Sequence, residues 1–288
     1  MHDTLKNQFY KEGYVVLDDF LRQAECEELQ NIGTELAKDQ PETERTIWSN
    51  YPPFKQYEKD SKLVDSAHKI CYFYENEAVD SDGKLKVEPS QALHKVGHAL
   101  HVLHPIFRCY TYSDRVKSVC QQLGLVDPAV IQSMYTYKNP AVGCEVPAHQ
   151  DSSHLYAEPV PVICFWIALE DATIPNGCLW IARGSHTSGA HIKLTKNPDK
   201  ESKDAFIYDR PSPMYPQSSF TAIPVKKGTC ILLHGNVVYK SGSNRSERSL
   251  NSYAFHILER HDNKFSDDNW ICENEQHFLP VYSTSQIV

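Results

Sequence analysis

His149-Gln150-Asp151 sets an imidazole and a carboxylate two residues apart. On an extended backbone such side chains leave the same face. Together they are two thirds of a 2-His-1-carboxylate triad, the set that holds non-haem Fe(II) and leaves positions open for a co-substrate and oxygen. So short a motif has a second reading, a hydrogen-bonded His and Asp in a surface loop. Its setting argues for the first reading. It lies between a turn-rich segment and the apolar run Val162 to Leu169, which has the composition of a buried strand. A third ligand must then come from elsewhere in the chain.

Other chemistry-bearing residues give weaker signals. His94, His98 and His101 share one face of a helix predicted over Ser90 to Leu103. No Glu follows His94 in the HExxH pattern, so the stripe reads as a packed or solvated helix face. Asp80-Ser81-Asp82-Gly83 is a turn; as a calcium loop it lacks the later acidic ligands. The nine Cys form no CxxC pair. Cys71, Cys164, Cys178 and Cys230 sit in apolar runs and read as small buried hydrophobes in a reducing compartment.

The elements that must position these residues follow from periodicity. A short helix is expected over residues 3–12, a strand at Tyr14 to Leu17 and a helix over 21–38 with Leu21, Cys26, Leu29 and Ile32 on one face. Residues 40–65 are polar and turn-rich and read as a surface loop. Ile70 to Tyr74 has strand composition, and Val116 to Leu123 is helical. From about 128 onward strand signals dominate, at 128–138, 162–170, 178–182, 220–225, 228–234 and 249–258. Helices first and many short strands after predict a mainly β protein with helical decoration, a double-stranded β-helix or jelly roll. The expected organisation is one domain over 1–288, helical to about 125 and with its jelly-roll core at about 128–260.

A hydrophobic fraction of 41% supports a substantial core. The net charge of −8, without a basic stripe, disfavours nucleic acid, whose phosphates demand clustered Lys and Arg. No apolar run is long enough for a membrane span, and neither terminus carries a signal core or a Ser-Lys-Leu address, so a cytoplasmic protein is expected.

Around the His-x-Asp pair lie Ile131-Gln132-Ser133-Met134-Tyr135, Lys138, Gly143 and Glu145. After it come Phe165-Trp166-Ile167-Ala168-Leu169-Glu170-Asp171-Ala172, then Asn176-Gly177-Cys178-Leu179-Trp180 and Gly184-Ser185-His186. In this order the segments resemble the phytanoyl-CoA dioxygenase family of Fe(II)/2-oxoglutarate oxygenases. The resemblance runs from Gly13-Tyr14-Val15-Val16-Leu17 to Tyr253-Ala254-Phe255-His256. It implies the same jelly roll, Fe(II) as cofactor and 2-oxoglutarate as co-substrate. It also implies iron ligation by His149 and Asp151 and a co-substrate pocket of Lys95, Met134, Gln150, Trp166 and Ser241. Lys95, Met134, Trp166 and Ser241 also have plain readings, as exposed, core or turn residues.

The family's distal ligand belongs to a pattern His-x-x-x-x-His-x-Ser, with an Arg eleven residues past that ligand clamping 2-oxoglutarate. Here the segment is His234-Gly235-Asn236-Val237-Val238-Tyr239-Lys240-Ser241. Tyr239 stands at the ligand position and Leu250 at the Arg position. Three readings compete. The site is degenerate, and the protein is a non-catalytic metabolite- or protein-binding module. Or neighbours compensate: Tyr239 as a phenolate ligand, His234 as an imidazole, and Arg248, two residues from Leu250 on a strand, as the clamp. Or both are variants within a weak enzyme. The leading expectation is an oxygenase that hydroxylates a small organic substrate. A cupin-type enzyme ranks last, since cupins carry more His in the motif.

Overall fold

In the computed structural model, which describes residues 4–41, 45–48, 61–80, 82, 84–202, 204–273 and 278–282, the apolar run after the His-x-Asp pair is a strand covered on both faces. Ile163, Phe165 and Ile167 enter a cluster shared with the helices, while Cys164 and Ala168, with Trp166, face the opposite way. Double coverage leaves no reason for polar alternation, hence the unbroken apolar run.

The strands of the two principal sheets are β1 Tyr14–Leu17, β2 Arg45–Trp48, β3 Ile70–Glu75, β4 Leu93–His98, β5 Pro128–Thr136, β6 Val146–His149, β7 Ile163–Ala168, β8 Leu179–Ala182, β9 Thr221–Ile223, β10 Cys230–His234, β11 Val238–Ser241 and β12 Ser252–Glu259. The larger sheet runs β1-β10-β7-β12-β5-β4-β3-β2, with Leu279–Pro280 also paired to β5. The smaller runs β9-β8-β11-β6. Every pair is antiparallel except β2 with β3. Cys164, Ile231, Leu233 and Ala254 of the large sheet pack with Leu179 and Ile181 of the small one, forming the jelly-roll interior.

The outer face of the large sheet is sealed by helices. They are α1 Leu5–Glu12, α2 Gln23–Lys38, α4 Leu100–Leu103, α5 Pro105–Thr111 and α6 Asp114–Leu123, whereas α3 Ser61–Ser66 lies apart from them, its Ser66 hydroxyl 2.9 Å from His98 Nδ1. Thr4 caps α1 by accepting from the Asn7 amide, and Gly13 ends it at φ 82°. A side chain at Gly13 would also collide with the His186 ring. Cys26, Leu29, Phe107, Val116 and Leu123 join Phe165, Tyr253 and Phe255 in one apolar cluster, and Phe165 stacks on Phe255 at 4.9 Å. No helix among the described residues is long and apolar enough to cross a membrane.

Two expectations need correction. Ser90 to Leu103 is not one helix; only Leu100–Leu103 is helical. Leu93–His98 is β4, paired on both sides through Tyr72↔Val96 and Val96↔Tyr135, and all six of its residues are buried. Pairing and burial there override local helical periodicity. The three histidines consequently diverge: His94 Nδ1 lies 3.0 Å from Glu75, His98 Nδ1 2.9 Å from Ser66 and His101 Nδ1 2.8 Å from Ser133. The span 40–65 is not loop throughout, since it contains β2 and most of α3; residues 42–44 and 49–60 lie outside the described residues. The expected turn at Asp80 stands, with Asp80 Oδ1 accepting from the amides of Asp82 and Lys84; Ser81 and Gly83 lie outside the described residues.

Candidate metal and co-substrate site

Strand β6 is the edge of the small sheet, and its last residue, His149, pairs with Tyr239 of β11. Gln150 continues extended, at φ −117° and ψ 138°, and the chain then tightens into a 3-10 turn over Asp151–Ser153. That turn carries Asp151 inward until only 7% of its side chain is exposed. Gln150 is tied to two neighbouring loops. Its amide donates to the carbonyls of Gly189 and Asn236, at 2.9 and 2.5 Å, and accepts from the His191 amide at 2.6 Å. The side chain braces two loops with both of its N–H donors spent, and the residue also borders the cavity beside Asp151.

A cavity of about 300 Å³ opens between the sheets beside Asp151. Its walls include Lys95, Met134, His149, Asp151, Trp166, Tyr239, Ser241 and Leu250. Strand alternation explains the membership. Ser252, Ala254 and His256 of β12 reach the cavity, as do Cys164 and Trp166 of β7, while Tyr253 and Phe255 pack under the helices. Deep in this cavity Lys95 lies 5.2 Å from the Phe73 ring, and burial pushes its ammonium down to about 7. His154, which meets Tyr208 at 2.9 Å, is pushed by burial and by His149 to about 3.

Asp151 is the centre of the polar end. Its Oδ1 accepts from the Tyr239 hydroxyl at 2.7 Å and lies 3.7 Å from His149 Nε2. The His149 and Tyr239 rings are 4.4 Å apart. Its Oδ2 faces His256 Nε2 at 3.2 Å, and neither atom has a hydrogen bond of good geometry among the described residues. Gln132 fixes the far side of the His256 ring, 3.0 Å from Nδ1. Burial pushes the Asp151 carboxyl up, but the imidazoles of His256 and His149 and the Tyr239 hydroxyl outweigh it and hold the carboxyl below its usual range. Burial and the Asp151 charge raise the Tyr239 phenol well above its ordinary value. Cys164 pairs with His256 across β7 and β12, and its thiol is raised by burial and by Asp151. Ligand atoms of Asp151, Cys164 and His256 all lie within 4.8 Å of one another.

Two buried polar atoms without hydrogen bonds, set face to face, are what a coordination site leaves when its donors are described alone. Carboxylate, imidazole and thiol donors fit a divalent transition metal, and the set is consistent with Fe(II). Lys95 in the same cavity is consistent with a dicarboxylate such as 2-oxoglutarate.

Two other expected residues fall elsewhere. His234 is not at the cavity: its ring packs 5.7 Å from Phe9 and 4.9 Å from His186, under α1, because β10 ends on the side where the N-terminal helix docks. Burial and His186 push it down to about 4. Arg248 is not on a strand. Residues 246–250 form an irregular turn held by Asn244 and Ser246, and Arg248 is exposed outside the cavity, while Leu250 packs into the interior. Conversely, His256 and Cys164 went unrecognised as donors. Their one sequence signal was inward phase, two residues from Ala254 and from Trp166.

The phytanoyl-CoA dioxygenase (PhyH) family matches residues 9–250. Phytanoyl-CoA dioxygenase domain-containing protein 1 of Bos taurus is 40% identical over 282 residues, 96% of this chain and 97% of that protein. Among solved structures, the non-heme monooxygenase ThoJ in its apo form superposes with a TM-score of 0.61 at 16% identity, covering 96% of this chain and 86% of its own. EctD from S. alaskensis with bound Fe gives 0.58 at 18%, over 96% and 85%. These structural likenesses bear on the jelly roll, whereas the family match and the bovine relative bear on descent. The chain belongs to the phytanoyl-CoA dioxygenase family.

Proposed function

We propose that the cavity is a metal-dependent oxygenase site acting on a small organic substrate, with Asp151 as the central ligand and imidazoles from His149 and His256 on either side. One observation carries this reading: Asp151 Oδ2 and His256 Nε2 are buried, 3.2 Å apart and without a hydrogen bond among the described residues. His256 supplies the imidazole that Tyr239 does not. When bound, Fe(II) with 2-oxoglutarate and oxygen supplies the oxidant for a substrate C–H bond. The chain does the rest. Lys95 and Ser241 offer hydrogen bonds to a carboxylate, Tyr239 holds Asp151 in place, and Gln132 sets the His256 ring so that Nε2 faces inward. Leu155, Ile192, Tyr208, Tyr215 and Trp270 line the remainder and favour an apolar or aromatic substrate. The lysines of the cavity wall are Lys95 and Lys138, and Lys138 is committed to the carbonyls of Cys144 and Gly242. Among the described residues, no cation cluster in the cavity wall matches a CoA phosphate.

A second reading rests on Tyr239 and Leu250. The phenol satisfies Asp151 Oδ1 without a metal, and Leu250 puts a methyl-rich side chain where the family carries its guanidinium. On that reading the cavity binds a metabolite or partner without turnover. Anaerobic purification, calorimetry with Fe(II), and succinate release from 2-oxoglutarate separate the two. Stoichiometric iron with succinate release supports the oxygenase; absence of metal binding leaves the binding module.

A further inference from the structure

Asp151 has two oxygens in two environments, and the inner one faces donors that the His-x-Asp motif does not contain. Cys164 and His256 are directly opposite each other on adjacent strands, both on the interior face. Both side chains are buried, and their ligand atoms and an Asp151 oxygen all lie within 4.8 Å of one another. His256 Nε2 and Asp151 Oδ2 have no hydrogen bond among the described residues. The His256 ring is fixed from behind by Gln132, which orients Nε2 toward the other two donors.

We propose that Cys164 is a metal ligand, and that Asp151, Cys164 and His256 form a thiolate-containing site one layer deeper in the sandwich than the His149–Asp151 pair. The inference rests on the reading of this cavity as a metal site and names its donors. The physical case is geometric. A tetrahedral ion binds sulfur at about 2.3 Å and imidazole nitrogen at about 2.0–2.1 Å. Donor atoms around such an ion are therefore separated by roughly 3–4 Å, so small side-chain rotations suffice to close the set. The rigid strands β7 and β12 hold two of the three donors, so little ordering is needed on binding. A thiolate also changes preference. Soft sulfur favours zinc and cobalt over the oxygen- and imidazole-only environment typical of non-haem iron. This chain should therefore take a thiophilic divalent ion in competition with Fe(II).

The test uses the reduced full-length protein titrated anaerobically with Co(II), followed by near-ultraviolet absorption and calorimetry. A thiolate-to-cobalt charge-transfer band in wild type is expected. Cys164→Ser should abolish the band and weaken Co(II) binding by about tenfold or more, and Zn(II) should displace Co(II). The wild-type band needs no variant to fold. Stoichiometric Co(II) binding without the band, unchanged in Cys164→Ser, would overturn the inference while leaving the metal-dependent oxygenase reading intact. No Co(II), Zn(II) or Fe(II) binding at all would overturn both.

Discussion

At the scale of single residues, Tyr239 decides how firmly the outer half of the site holds a cation. An unperturbed phenol ionises near about 10, and burial and Asp151 push Tyr239 further up, so at neutral pH it donates a hydrogen bond instead of ligating. Replacing it by His adds a neutral donor beside His149. Tyr239→His should raise affinity for a redox-inert divalent ion by about tenfold or more, a gain of about 1.4 kcal/mol. Calorimetry reads this directly, and equal affinities would mean that Tyr239 does not limit binding. Gln150 has a separate task. Its three hydrogen bonds tie the His149–Asp151 turn to the loops at Gly189, His191 and Asn236. Gln150→Leu removes the partners of two half-buried carbonyls and an amide, at roughly 0.5–1.5 kcal/mol each. A lowered Tm together with weakened metal binding is expected; a lowered Tm alone would confine Gln150 to stability.

At the scale of elements, the placement of Arg248 and Leu250 shows what a two-residue step means outside a strand. The spacing promised a shared face, but β12 starts only at Ser252, and the preceding turn turns Arg248 outward. Arg248→Ala should leave 2-oxoglutarate turnover unchanged in any active preparation. Turnover lost in that variant would restore Arg248 as the clamp and require the turn to reorganise on binding. The same lesson covers what was legible in the sequence. Six strands from 128 onward, α1, α2 and the position of His149 and Asp151 in the chain followed from alternation, apolar runs and motif spacing. The edge strand β6 and its neighbour β11 were hidden, because short half-exposed strands with Pro, Ala, Lys and Ser carry no strong period. Strand β4 was hidden because His, Lys and Gly at its positions mimic a polar helix, and only pairing with β3 and β5 makes it extended. His256 was hidden because an imidazole in an apolar strand has no motif. It becomes a donor only when β12 is laid beside β7.

At the scale of the whole molecule, the cost of the cavity shows in its pH dependence. Burial lowers Lys95 to about 7, against about 10.4 for a lysine in an unfolded chain. Between those values the unfolded state binds a proton that the folded state does not. Stability must therefore rise as pH climbs from about 7 to about 10, and the full penalty is present below about 7. Lys95→Met removes that term. Its stability advantage over wild type in urea denaturation should be greatest near neutrality and shrink toward pH 10. An advantage independent of pH would show that Lys95 keeps its proton in the folded state. The large sheet carries the remaining consequence. Phe165, Tyr253 and Phe255 anchor the helices from one surface, while Cys164, Ala254 and His256 address the cavity from the other. Because the two sets alternate along the same backbone, an inward residue can be exchanged while the outward ones keep their partners. Tyr239 of β11 and Leu250 of the turn before β12 likewise face the cavity. A lineage built this way can revise its repertoire one residue at a time, trading iron chemistry for another metal or for none, while its shape persists.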